Sequence, residues 1–156
     1  MKEKRIFVGV MVIAFSIFVL TPIVSAGPIE DAAQVTQEWA KAFNGGNAEA
    51  LSALFARDAV YVSWASPYPA VGREAIRATF EGFIRTYPIR YLMLRDEYRK
   101  AYGDAVSLHN NFTLIYGDGK GPIKTIYGRN SAVSTIVEGR RLIIIQHNSF
   151  FPTAGP

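Results

Sequence analysis

Two hydrophobic periods divide this chain. Between residues 29 and 87 the large apolar side chains return every three or four positions, the spacing of one face of a helix. Ala32, Val35, Trp39 and Phe43 predict a first helix over 29–44. Glu30 and Asp31 suit its positive N-terminal end, and Gly45-Gly46 stops it. Asn47 is a good N-cap for a short second helix over 48–55, on which Leu51, Leu54 and Phe55 share a face. Asp58-Ala59 leads into a brief strand over 60–62, and 64–72, with Pro67 and Pro69, reads as a loop. Ile76, Phe80, Phe83, Ile84 and Tyr87 form a core-facing stripe on a third helix over 73–87, which Pro88 ends.

From residue 89 the helical period gives way to strands separated by turn chemistry. The runs 89–102, 105–116, 123–137 and 141–151 are parted by Gly103-Asp104, Gly117-Asp118-Gly119 and Glu138-Gly139. Helices first and a four-strand meander afterwards predict an α+β fold, with the helices gathered on one face of a largely antiparallel sheet. The last strand carries the most information. Its apolar run Ile143-Ile144-Ile145 is followed by four consecutive polar residues, Gln146 to Ser149. Polar groups at the end of a core strand need partners, so these either line a cavity or tie together an interface.

Residues 1–26 stand apart. Lys2, Lys4 and Arg5 precede an uncharged apolar run, Pro22 breaks it, and Val24-Ser25-Ala26 offers small residues to a signal peptidase. The expectation is a signal peptide cleaved after Ala26, a single domain over 27–156, and a periplasmic or secreted location. Membrane contact is then made only through the signal peptide, and an uncleaved anchor is the competing reading. Residues 1–26 hold three of the 17 Lys+Arg and one of the 13 Asp+Glu, so the rest carries a formal +2 rather than +4. Its basic residues are interleaved with acids, so no nucleic-acid partner is expected. With no cysteine, the core must hold without disulfides, as a domain of this length can.

Particular residues then narrow the fold. Trp39-Ala40-Lys41-Ala42-Phe43-Asn44-Gly45-Gly46-Asn47, Leu54-Phe55-Ala56-Arg57-Asp58-Ala59-Val60-Tyr61 and Gly72-Arg73-Glu74-Ala75-Ile76 make up the front half. Gly128-Arg129 and Gly139-Arg140-Arg141-Leu142-Ile143, running into His147-Asn148-Ser149, make up the back. Together they resemble the NTF2-like superfamily of curved α+β barrels. Within it the chain is most similar to the SnoaL-like and calcium/calmodulin-kinase association-domain branch, whose last strand ends in a His-x-Ser block. The resemblance spans residues 29–152 and implies a cone of three N-terminal helices on a curved sheet, commonly paired as a homodimer. Such a scaffold hosts isomerases, cyclases, dehydratases, ligand binders and assembly domains, so it speaks for the fold and not for one reaction. The chain departs from its relatives at Leu142, where they often carry Trp, and at Gln146-His147-Asn148, where they often carry two or three histidines.

Strand alternation places Ile144, Gln146, Asn148 and Phe150 on one face of the last strand and Ile143, Ile145, His147 and Ser149 on the other. By the resemblance, Gln146 and Asn148 point into the cone, with Ala132 and Ser134 on the neighbouring strand. Asn148 stands where the kinase association domain has a ligand-facing arginine, which implies a neutral or weakly polar ligand. The plainer reading is that Gln146 and Asn148 only satisfy each other and nearby backbone. Tyr61, Trp64 and Tyr68 flank the proline-bearing loop and are expected to enclose an apolar ligand by stacking. Arg129 is expected in a structural ion pair.

Asp58 and His109 are the catalytic candidates, as bases for proton transfer in the same cavity. Each also has a structural reading, as a turn cap and as a hydrogen-bonded strand residue. No nucleophile elbow, phosphate loop or paired-carboxylate motif occurs, and two distant histidines without cysteine offer no metal-ligand spacing. No cofactor is expected. The leading expectation is an exported homodimer that binds a small, largely apolar molecule. A proton-transferring enzyme and a pure oligomerisation module, assembling through His147 and Ser149, are the alternatives.

Overall fold

The computed structural model describes residues 27–151. The expected signal peptide over 1–26 lies outside them. Helix α1 (Pro28–Gly45) buries the predicted stripe of Ala32, Val35, Trp39 and Phe43, with Thr36 beside it. Gly46 takes a left-handed conformation at φ 69° and returns its N–H to the carbonyls of Ala42 and Phe43, a termination that glycine adopts without a Cβ penalty. Arg90 adds Nε to the Phe43 carbonyl at 2.9 Å, a cation placed on the negative helix end. Asn47 caps α2 (Ala48–Ser52) by accepting from Ala50 N at 2.9 Å.

The second helix ends earlier than its apolar spacing predicts. Phe55 opens strand β1 (Phe55–Val62), pairs with Ile143 and is fully buried, so long-range strand pairing overrides the local helical period. The predicted loop also contains a two-residue strand, β2 (Ala70–Val71), paired with Val60 and Tyr61. Helix α3 (Arg73–Thr86) buries Ile76 and Phe80 and is closed by Tyr87.

Strands β3 (Ile89–Tyr102), β4 (Ala105–Gly117), β5 (Lys124–Val137) and β6 (Arg140–Phe150) form the expected antiparallel meander. The sheet order is β2-β1-β6-β5-β4-β3, with β1 running parallel to β6. The result is the α+β architecture of three helices packed on a curved, mostly antiparallel sheet. Among the described residues no helix is long and apolar enough to cross a membrane.

A bulge decides which side chains β6 turns inward. Val133 pairs with Ile145 and Ser134 with Ile143, which leaves Ile144 as the extra residue. Such an insertion reverses the alternation beyond it. Ile143 therefore shares the cavity side with Gln146 and Asn148, where strict alternation had placed Ile144. A larger irregularity in β1 sets Phe55 to Val60 against Ile143 to Ile145 and carries Arg57 and Asp58 outward. Arg73 Nε on the Phe55 carbonyl (2.9 Å) and Gly72 N on the Ala59 carbonyl (2.8 Å) hold it in place.

Candidate functional site

The inner face of the sheet and the facing sides of α1 and α3 enclose a cavity of about 400 Å³, within the range of small-molecule sites. Its walls are aromatic because the helical stripes and the inward strand positions both end there. Trp39 stacks on Phe43 with centroids 5.5 Å apart, and Phe80 lies 5.1 Å from Tyr61. Trp64 packs on Phe150 at 4.1 Å and edge-on to Phe83, so it seals the helix–sheet layer and lines the cavity at once.

A polar strip crosses this apolar chamber. Asn110 pairs in register with Asn130, and Asn130 with Asn148, so three asparagines form one row across β4, β5 and β6. Gln146 sits beside the row, opposite Ala132 and Tyr61. Asn148 Nδ2 donates to the Tyr61 hydroxyl at 3.1 Å, and Gln146 Nε2 donates to Asn148 Oδ1 at 3.4 Å. Burial pushes the Tyr61 phenol above its ordinary value of 10.0, against smaller opposing effects of its hydrogen bonds to Ser63 and Asn148. The phenol is thus a neutral hydrogen-bonding group.

Several polar atoms on this wall have no partner among the described residues. They are Asn110 Oδ1 and Nδ2, Asn130 Oδ1, Gln146 Oε1 and Trp39 Nε1, all buried and all on cavity-lining residues. A buried polar atom left without any partner costs about 1–3 kcal/mol, and five such atoms lie on residues of this one chamber.

The sequence-predicted residues separate into two groups. Gln146, Asn148, Tyr61 and Trp64 converge on the cavity, as do Ala132 and Ser134. The others do not reach it. Tyr68 is 78% exposed and off the cavity. The Ser66 hydroxyl donates to the Tyr68 carbonyl at 2.8 Å and accepts its N–H at 3.2 Å, a tight turn about Tyr68. Asp58 is exposed on the β1 bulge. His109 is on the outer face, because it adjoins the inward Asn110 and side chains alternate; its Nδ1 lies 3.1 Å from Ser131 Oγ. Ser131 pairs in turn with His147, which is also exposed outside. Arg129 stacks its guanidinium 4.8 Å over the Phe151 ring.

Asn110, Asn130 and the indole nitrogen of Trp39 are site features that the sequence reading missed. The signal was present: asparagine is depleted in strands, yet three successive strands carry one at an inward position. Among the described residues no three His, Cys, Asp or Glu side chains cluster as a metal site.

The model of the SnoaL-like domain matches residues 36–141. No curated protein matches the chain. Among solved structures it is similar to a candidate scytalone dehydratase from Novosphingobium aromaticivorans, at 18% identity over 79% of this chain and 83% of that one, with a TM-score of 0.72. It is similar to a candidate calcium/calmodulin-dependent protein kinase II association domain from Xanthomonas campestris, at 24% identity over 79% and 87% of the two chains, TM-score 0.71. An NTF2-like superfamily protein from Salmonella enterica serovar Typhimurium is 17% identical over 82% and 94%, TM-score 0.73. At these identities the likeness is one of fold, the NTF2-like cone.

Proposed function

The chain belongs to the SnoaL-like domain family within the NTF2-like fold, and from that premise we propose that it binds a small, largely apolar molecule inside its cone. Folds of this kind commonly bind small molecules or act as dehydratases and isomerases. One observation favours binding. The described residues lining the cavity include aromatic rings, amides and hydroxyls but, among them, no carboxylate, imidazole, ammonium or guanidinium. Proton transfer needs a group that titrates near the working pH. Asp58 and His109 are turned away from the chamber, and the Tyr61 phenol holds its proton.

Gln146 and Asn148 orient the ligand in this reading, while Tyr61 and Trp64 enclose it. Apolar contact supplies the affinity, at about 25 cal/mol per Å² removed from water. Native mass spectrometry of the protein from its source compartment tests the proposal. A co-purified small molecule is the expected result; an empty protein that ignores a broad panel of lipids and steroids would refute it.

Two finer points belong to the same proposal. The outer sheet face exposes Tyr91, Tyr98, Tyr102, Tyr127 and Ile145, an apolar surface suited to a second copy. Sedimentation equilibrium should give a homodimer, and a monomer at high concentration would rule that out. Export rests on the character of residues 1–26 and predicts an N-terminus at Gly27; exported material beginning at Met1 would refute cleavage.

A further inference from the structure

Among the described residues, the cavity meets solvent along one wall. Its lining residues on α1, β4, β5 and β6 are all buried. Those that are exposed or half-buried lie on α3 and on the segment after β1, apart from Leu94 on β3. Ala65 and Ser66 form one side of this opening, and Ala78, Thr79, Gly82 and Thr86 the other. Thr79 and Thr86 turn their hydroxyls back onto the helix, donating to the Ala75 and Gly82 carbonyls at 2.9 and 2.8 Å. The protons of both hydroxyls are thus already used.

Gly82 stands in the middle of that helix face. Ala78, Thr79 and Thr86, its neighbours at i−4, i−3 and i+4, all line the cavity. A side chain at this position would project over the turn that holds Ala78 and Thr79. Glycine weakens a helix interior, and none of its usual reasons applies here. Gly82 has no positive φ, lies a full turn before the end of α3, and a Cβ placed on it meets nothing within 4 Å. What the missing side chain leaves is open space at the mouth of the chamber. The ring next to it has no such freedom. Phe83 is held by Phe43, Tyr87 and Tyr116 at centroid distances of 5.7, 4.9 and 6.0 Å.

We propose that Gly82 is the gate residue of the cavity. The absence of a side chain there keeps the passage between α3 and Ala65-Ser66 open, and the size of this residue determines which molecules enter. The proposal rests on the binding function argued above and assigns the residue that controls admission to it. It also fixes the ligand's route, past α3 rather than between α1 and the sheet.

Two readouts separate the gate from the binding function. N-phenyl-1-naphthylamine, an uncharged ring probe suited to a described lining without charged side chains, is mixed with the full chain in stopped-flow fluorescence. Acrylamide quenching of Trp39, in a Trp64→Phe background, follows the entry of a small molecule that needs no binding site. Gly82→Leu should slow probe association on the order of tenfold and shield Trp39 from acrylamide. Gly82→Ala should raise the melting temperature by about 2–4 °C and slow association less, which keeps the test open should leucine disturb the helix. Gly45→Leu is the control. Gly45 is exposed, has nothing within 4 Å of a Cβ placed on it and does not line the cavity, so both readouts should stay at wild-type values.

Association and quenching unchanged in Gly82→Leu would overturn the gate and leave the binding function standing. A lowered melting temperature in Gly82→Ala would show that packing requires the glycine and also overturn it. A wild-type protein that takes up no probe while acrylamide still quenches Trp39 would remove the binding function, and the gate then stands or falls on the quenching of Gly82→Leu.

Discussion

Across β4, β5 and β6 the inner face carries Asn110, Asn130 and Asn148 in one row, while the outer face, one residue away, carries His109, Ser131 and His147. The inner row is buried and uncharged, and Asn110 and Asn130 keep amide atoms without a partner among the described residues. The outer row is more exposed and has a partner already, since His109 meets Ser131. The difference comes from strand alternation alone, because no bulge interrupts β4 or β5 at these positions. A one-residue slip would carry the imidazoles into the cavity and the amides out. Register therefore decides whether this fold holds a binding chamber or a site equipped with bases.

The largest expected effect tests what holds that register. A Cβ on Gly128 would run into the Phe112 ring and the Ser149 carbonyl. Gly128→Ala should lose about 3 kcal/mol, at the upper end for overpacking, whereas Ser131→Ala on the outer row should stay within about 0.5 kcal/mol. Denaturant titration of the two variants reads the contrast, and equal losses would break it.

Within the inner row, Asn148 and Asn110 should behave oppositely. Asn148→Leu leaves Gln146 Nε2 and the Tyr61 hydroxyl without a hydrogen bond that each now makes, at a cost of about 2 kcal/mol. Asn110→Leu removes two amide atoms without a partner among the described residues. A thermal melt showing Asn148→Leu as harmless as Asn110→Leu would erase the distinction between amides the fold has paired and amides it has not.

Tyr61→Phe should cost about 1 kcal/mol near neutral pH, the worth of one hydrogen bond, and should change the alkaline limb of stability. Burial raises the folded-state pKa above 10.0. The unfolded chain therefore ionises first, and the contribution of Tyr61 is complete below pH 10 and lost as pH rises from there through the raised value. The phenylalanine variant should lose stability less steeply above pH 10 than the wild type. Parallel curves would mean that the phenol is not desolvated.

The smallest effect is expected outside. His109→Gln and His147→Gln should leave the affinity for a cavity probe within about twofold, because neither ring borders the chamber. A large loss measured by calorimetry would show that the two faces communicate.

Much of this architecture could be read along the chain. The stripe from Ala32 to Phe43 marked α1, Asn47 marked a cap, and Gly-containing turns delimited four long strands. Gln146 and Asn148 could be placed in the cavity from the parity of one strand and a family resemblance. The misplacements share a cause. Phe55 left the helix because Ile143 pairs with it, and Ile143 turned inward because β6 bulges against β5. Tyr68 lies outside on a tight turn, its carbonyl accepting from the Ser66 hydroxyl and its N–H donating to it. Each outcome depends on a partner distant in sequence or on a turn geometry that periodicity does not encode.

The sequence by itself determined the order of elements, the fold they build and the polarity of the last strand, because local hydrophobic period and turn chemistry act over a few residues. Only the tertiary structure could decide that Asn110, Asn130 and Asn148 stand in one row while the histidines stand behind it. That row is a product of strand registry between segments about twenty residues apart, and registry is settled by packing across the sheet rather than along the chain.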